Sequence, residues 1–169
     1  MSIAEAVVRD FNSESEHSKN LLGAVPEDKF GWKPHESSMS LGQLAGHVAE
    51  APSWVQAMGG ESFDMADAGG GDYEPFVPTS REDLLATLEE NQKGFVEFLD
   101  GRDDDFMTAT WTMTSGGKQM MSMPREAAIR SVLIHHVSHH RGQLTVYLRL
   151  LGVAVPPTYG PTADHQDIY

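Results

Sequence analysis

The sequence IHHVSHHRGQL at residues 134–144 places four histidines within six positions. Apolar residues recur around it at helical spacing, which predicts one long helix from about Pro124 to Leu151. Side chains three or four positions apart lie on the same face of a helix. Two histidine pairs can therefore act together, the first at positions 135 and 139 and the second at positions 136 and 140.

Helical phase favours the second pair. When each residue is advanced by about 100° from Ile129, His136 and His140 fall on one apolar stripe. The other members of this stripe are Leu133, Leu144, Tyr147 and Leu151. His135 and His139 lie on its shoulder. The opposite side is polar and consists of Arg130, Ser131, Ser138, Arg141 and Arg149. We therefore expect His136 and His140 to point into the core.

Two inward-facing histidines one turn apart can offer two ring nitrogens to one metal ion. The alternatives are a hydrogen-bonded pair in the core or simple enrichment in histidine, and two ligands are too few to decide. In zinc-protease helices a glutamate follows the first histidine, whereas Val137 follows His136 here. This difference argues against a metalloprotease. A metal site needs a third ligand from elsewhere in the chain.

Composition restricts the classes of function. The chain has 169 residues, which predicts a single domain over residues 1–169. It has no cysteine, so any transition-metal site must use imidazole and carboxylate ligands. The net charge of −13 argues against binding to nucleic acids or to anionic membranes. The sequence has neither a secretory-leader pattern nor an apolar run of about 20 residues, and we expect a cytoplasmic protein.

Periodicity predicts three more helices upstream, over residues 2–23, 40–58 and 79–101. Ser2 and Glu5 have the spacing of a capping box at the first helix start. A long connection over residues 61–78, with Gly69-Gly70-Gly71 at its centre, separates the second and third helices. Residues 109–114 and 119–123 predict a β-hairpin with a Gly-Gly turn. The predicted fold is therefore all-α, a four-helix bundle with a short β-hairpin before the last helix.

The second helix supplies a third candidate ligand. His47 lies at the edge of its buried face, which consists of Leu44, Val48, Ala51, Val55 and Met58. With His136 and His140 it would form a three-imidazole site without a fourth protein ligand, an arrangement typical of catalytic metals. Zinc or nickel suits imidazole best, with iron, cobalt and manganese as alternatives. Glu50, one turn after His47, is a candidate catalytic base or a partner of a ligand ring.

Two segments of the chain resemble the DinB-like proteins, a family of helical bundles. The first is WKP at residues 32–34 with SMSLGQLAGHVAE at 38–50, and the second is HVSHHRGQL at 136–144 with the tail VPPTYGP at 155–161. The resemblance implies an up-down-down-up four-helix bundle, often a homodimer, that binds a divalent metal through three histidines. By position these are His47, His136 and His140. His139 would then be an adjacent residue that does not bind the metal.

The resemblance also implies candidate functions. Family members with assigned activities include bacillithiol S-transferases and thiol-dependent isomerases, in which the metal activates a low-molecular-weight thiol. We therefore expect an enzyme, a metal-dependent transferase or hydrolase that acts on a small-molecule substrate. An open pocket lined by Trp54 and Tyr147 would favour this reading. The alternative is a structural or stress-related protein in which the metal braces the bundle without turnover.

Overall fold

The computed structural model describes residues 1–68 and 74–166, and this part of the chain is mostly helical with a small three-stranded sheet. Its helices are α1 (Ile3–Gly23), α2 (Leu41–Glu50), α3 (Met65–Ala68), α4 (Arg81–Leu99), α5 (Asp104–Thr108), α6 (Arg125–Ile129) and α7 (His136–Leu150). Its strands are β1 (Ser62–Asp64), β2 (Thr110–Ser115) and β3 (Lys118–Pro124). None of the helices in the described ranges is long and apolar enough to cross a membrane.

Serine side chains define where three of the long helices begin. Ser2 caps α1 and Ser40 caps α2, each by accepting a hydrogen bond from the backbone N–H three residues later. The side chains of Glu5 and Gln43 in turn accept a hydrogen bond from the backbone N–H of their capping residue. Such reciprocal bonds satisfy backbone groups that a helix end leaves without partners. Ser80 caps α4 in the same position but without the returning bond.

The second predicted helix changes type near Pro52. α2 ends at Glu50, and residues 51–58 form a 3₁₀-helix. Proline has no backbone N–H, and its ring clashes with the preceding turn, so it is disfavoured inside an α-helix. The prediction of one regular helix to Met58 is therefore wrong after Glu50. Val55 and Met58 are nevertheless buried, as their place in the apolar pattern indicates.

The last predicted helix also departs from regular geometry. Residues 130–135 form a π-helix between α6 and α7. A π-turn is closed by i→i+5 hydrogen bonds and so encloses one residue more than an α-turn. After this segment, each side chain therefore points about 100°, or one residue, away from the direction that a regular α-helix counted from Ile129 predicts.

This shift explains why Arg141, expected on the polar side, is buried. Its side chain is 2% exposed and lies on the buried line of α7 with Val137, Leu144 and Leu148. Arg141 forms an ion pair with Glu14 of α1 and also donates to Ser138 Oγ and Tyr159 OH. Although partial burial raises the pKa of Glu14, hydrogen bonds from Tyr159 and Arg141 lower it overall. The prediction that Arg141 lies on the polar side of the helix, opposite the apolar stripe, is therefore wrong.

The sheet has the strand order β1-β2-β3. β2 and β3 are antiparallel and are connected through Gly116 and Gly117, both at positive φ, where glycine is favoured. β1 pairs in parallel with β2 and belongs to the long connection between α2 and α4, for which no strand is predicted. Asp64 of β1 accepts hydrogen bonds from the N–H groups of both glycines and so holds their turn. The three glycines at residues 69–71 lie outside the described residues.

The core consists of two clusters of buried side chains. One cluster joins the end of α1, α2, the start of α4 and α7. The other joins the start of α1, the 3₁₀-helix, the end of α4, the sheet, α6 and the π-helix. Trp54 packs against both clusters and also contacts the rings of His47 and His136. Two of the candidate ligands therefore lie where the two halves of the core meet.

The buried ion pair leads to a prediction about stability. Arg141→Met should lower the free energy of unfolding by about 3 kcal/mol, because it leaves the partly buried Glu14 carboxylate without its cation. Arg149→Met is a matched control, because Arg149 is 50% exposed where it pairs with Asp164, and it should cost less than about 1 kcal/mol. Urea unfolding followed by circular dichroism measures both. Equal losses in the two variants would contradict a buried structural role for Arg141.

Candidate metal centre

His47 of α2 meets His136 and His140 of α7. The Nε2 atoms of His47 and His136 are 3.0 Å apart, and those of His136 and His140 are 3.1 Å apart. One nitrogen from each ring lies within 4.8 Å of the other two. All three side chains are partly buried. The structure therefore brings together the three histidines named as candidate ligands.

The π-helix sets the direction in which the last helix presents its two histidines. It ends at His135, directly before His136. Because of the phase shift, His136 and His140 lie beside the buried line of α7 and not at its centre. They are partly buried, whereas a regular helix counted from Ile129 would point them into the core. Their ring centroids are 4.4 Å apart, and the His47 ring is 5.2 Å from His136 and 4.5 Å from His140. The cluster thus lies at the boundary between core and solvent.

The spacing of the ring nitrogens suits a small divalent ion. Zinc–nitrogen bonds of about 2.0–2.1 Å in a tetrahedral site place the ligand nitrogens about 3.3–3.4 Å apart. The observed separations of 3.0 and 3.1 Å are close to that value. Among the described residues, three potential ligands converge here and Glu50 is not one of them. The residues fit a divalent ion held by three imidazoles.

Hydrogen bonding alone does not account for the cluster. The Oε1 atom of Gln143 lies 2.7 Å from His140 Nδ1. An amide oxygen can only accept, so this contact is a hydrogen bond when Nδ1 carries the proton and Nε2 presents a lone pair. His136 Nε2 faces both this lone pair and His47 Nε2. His136 Nε2 carries at most one proton, so it cannot form linear hydrogen bonds with both His140 Nε2 and His47 Nε2. A cation between the three nitrogens would satisfy all of them.

The environment favours the neutral form of the imidazoles, which metal binding requires. Burial, together with the neighbouring His140 and His136, lowers the pKa of His47 from 6.5 to about 4. Burial also lowers the pKa of His136, with further contributions from His140 and His139. The pKa of His140 is lowered by burial as well, against the opposing effect of its hydrogen bond with Gln143.

An indole ring covers one side of the cluster. The ring of Trp54 lies 5.0 Å from that of His47 and 5.5 Å from that of His136. Tyr147, the other aromatic residue expected at a pocket, packs edge-on against Trp32 at 5.6 Å. Its hydroxyl donates to a backbone carbonyl of the loop before α2. Of the two aromatic residues expected at a pocket, Trp54 therefore contacts the candidate ligands, and Tyr147 packs against Trp32.

Glu50 contacts the connection that leads toward α4. Its Oε2 atom accepts a hydrogen bond of 3.4 Å from the backbone N–H of Phe76. One turn earlier, Gly46 approaches the same segment so closely that a Cβ there would lie 2.3 Å from Phe76 O. Gly46 and Glu50, one helical turn apart on α2, therefore both contact the chain at Phe76. The role of Glu50 as a catalytic base stays a prediction.

Two residues of the site were not among the predicted ones. Gln143 follows His140 by three positions, a helical spacing that brings side chains together and could have indicated the contact. Gly46 precedes His47 inside a helix, where glycine lowers stability by about 1 kcal/mol relative to alanine. A glycine at such a position can indicate a close packing contact. His135 and His139 are exposed and do not belong to the cluster, consistent with their place on the shoulder of the stripe.

The close approach at Gly46 leads to a second prediction. Gly46→Ala should lower the free energy of unfolding by about 1–3 kcal/mol, because the added methyl group overlaps the backbone at Phe76. Gly94→Ala is the matched control, since no atom lies within 4 Å of the position of its Cβ in α4. It should gain up to about 1 kcal/mol through helix propensity. Chemical denaturation measures both, and a neutral Gly46→Ala would argue against the close packing.

Comparison with known proteins relates the whole chain to one family. The uncharacterized protein YrdA of Bacillus subtilis is 26% identical over 157 residues, which cover 93% of this chain and 88% of the relative. A solved DinB-like protein from Bacillus cereus is similar with a TM-score of 0.71 and 25% identity, over 92% of this chain and 97% of that one. The solved DinB-like protein YjoA of Bacillus subtilis shares the fold, with a TM-score of 0.67 at 20% identity over 95% and 99% of the two chains.

The family comparison covers nearly all of the sequence. The model of the DinB family matches residues 1–167, which include both helices that carry the three histidines. The relatives are matched over most of their own length as well. The chain therefore belongs to the DinB family.

Proposed function

We propose that the protein binds one divalent metal ion through His47, His136 and His140 and acts as a metal-dependent enzyme of the thiol S-transferase or hydrolase type. The observation that carries this proposal is the convergence of three Nε2 atoms, with neighbouring separations of 3.0 and 3.1 Å. Membership in the DinB family supports metal binding. Zinc and nickel are the proposed ions because both accept imidazole ligands.

The number of protein ligands supports catalysis. Structural zinc sites are almost always closed by four protein ligands, whereas catalytic sites have three and keep a position for water or substrate. Three potential ligands converge in the described part of the chain. A divalent ion bound there would lower the pKa of a thiol or water that it binds. The protein contributes three neutral imidazoles in fixed positions and an indole ring, that of Trp54, against two of them.

A thiol reaction would need a second substrate. The chain has no cysteine, so the thiol would come from a low-molecular-weight compound that enters the site together with an electrophile. In this proposal Glu50, one helical turn after His47, accepts the proton that the thiol or water loses. The hydrogen bond from Phe76 N–H would orient its carboxylate for this task.

A second candidate function is a metal-braced structural or stress-related protein. The observation that favours it is that the candidate ligands come from two helices far apart in the sequence. His47 and His136 are 89 positions apart. An ion bound to both would link α2 to α7 and stabilise the folded state. At a free concentration of 100 times Kd, such binding contributes about 2.7 kcal/mol. This function requires no turnover.

The proposal also covers the helix order, the number of domains, the oligomeric state and the location of the protein. The family resemblance supports an up-down-down-up order of the four long helical segments within a single domain, and assembly as a homodimer. A cytoplasmic location is part of the proposal, and the absence of cysteine, and so of any disulfide framework, is compatible with it.

The test of the proposed function compares metal-loaded and metal-stripped protein. Elemental analysis should find one divalent ion per chain. Conjugation of an electrophile with bacillithiol, mycothiol or glutathione, or hydrolysis of an ester, should depend on that ion. His140→Ala should lower the rate and the bound metal at least about 10-fold, because two imidazoles are too few ligands for a stable site.

His139→Ala is the matched control, because this exposed histidine adjoins His140 without belonging to the cluster. It should keep both the metal and the rate. Equal rates for the wild type and His140→Ala would remove the enzyme proposal. An ion that raises the melting temperature without turnover in any assay would favour the structural function, and equal metal content in all three proteins would contradict metal binding at this site.

A further inference from the structure

We infer that Gln143 is a positioning residue that fixes the tautomer of His140 and thereby sets the affinity of the site for its metal ion. The effect on affinity rests on the proposed function, whereas the effect on the tautomer does not. Gln143 Oε1 lies 2.7 Å from Nδ1 of His140. The other ring nitrogen, Nε2, is the one that faces His136 at 3.1 Å.

A neutral imidazole carries its proton on one of two nitrogens, and only the other nitrogen can bind a metal. His140 must therefore hold its proton on Nδ1 if Nε2 is to coordinate. The nitrogen that carries the proton is determined by the hydrogen bond that it makes. The amide oxygen of Gln143 accepts but cannot donate, so it holds the proton on Nδ1. The lone pair of Nε2 is then directed toward His136 and His47.

The helix makes this contact local and well defined. Gln143 and His140 are three positions apart in the regular part of α7, after the π-helix, where side chains at this spacing are neighbours. Gln143 is exposed, so its replacement removes little buried surface. Its effect on the metal site can therefore be separated from any effect on the fold. Partners of ligand histidines generally change metal affinity 10–100-fold when they are removed.

The chemistry of the partner predicts an order of affinities. Alanine offers no acceptor, so in Gln143→Ala the proton can leave Nδ1, and part of the metal-binding energy is then needed to restore the required tautomer. Glutamate has nearly the same shape as glutamine and is a stronger, charged acceptor. Gln143→Glu should therefore keep the tautomer and bind the ion at least as tightly as the wild type.

The first test needs no metal. Two-bond ¹H–¹⁵N correlation spectra of the metal-free protein identify the protonated nitrogen of each histidine. We expect the Nδ1–H tautomer for His140 in the wild type and in Gln143→Glu, and a shift toward Nε2–H in Gln143→Ala. An Nε2–H tautomer in the wild type, or no change in Gln143→Ala, would overturn the inference whether or not the protein binds metal.

The second test measures Zn²⁺ affinity by competition with a chromophoric chelator. Gln143→Ala should bind Zn²⁺ 10–100-fold more weakly than the wild type, as for other partners of ligand histidines. Val146→Ala is the control, because Val146 is 56% exposed on the same helix and should leave the affinity unchanged. Thermal unfolding of the metal-free variants verifies that each is folded.

The two tests separate the inference from the proposed function. Equal Zn²⁺ affinity for the wild type and a folded Gln143→Ala would overturn the effect on affinity. Zn²⁺ binding by none of the proteins, the wild type included, would overturn the proposed function and with it the effect on affinity. In that case the NMR spectra would still decide whether Gln143 fixes the tautomer.

Discussion

The rotation of α7 about its axis is the constraint on which the site depends. One line of this helix is buried and contains Arg141, whose guanidinium pairs with Glu14 of α1. His136 and His140 each precede a member of this line by one position and so lie about 100° away from it. A different rotation would separate the two rings from His47. The π-helix before His136 sets this rotation, and the buried ion pair holds it.

The position between core and solvent combines two requirements of a reactive metal site. Burial and the neighbouring His140 and His136 lower the pKa of His47 to about 4, and burial also lowers the pKa values of His136 and His140, which favours the neutral form that metal binding requires. In the proposed enzyme, a substrate must nevertheless reach the ion. The structure places Trp54 against two of the rings, and exposed Gln143 beside the third. One side of the cluster is thus shielded while another stays close to solvent.

Local signals made much of this structure predictable. The capping serines indicated helix starts, and the histidine spacing together with the family resemblance selected the residues that meet in space. The π-helix could not be predicted, because periodicity assumes a uniform step of about 100°, and for this reason the pattern places Arg141 on the polar side, opposite the apolar stripe. β1 has three residues and pairs with a strand about 50 positions later, so tertiary contacts and not local propensity determine it. The contact between Gln143 and His140 depends on ring orientation, which spacing alone does not give.

The central claim is that three imidazoles bind one ion. X-ray absorption spectroscopy at the zinc edge of the zinc-loaded protein measures the number, type and distance of the ligands directly. The account predicts three imidazole nitrogens at about 2.0–2.1 Å with at least one further light atom, and two imidazoles after His47→Ala. Zinc bound by fewer than three imidazoles in the wild-type protein, or by carboxylates in their place, would contradict it.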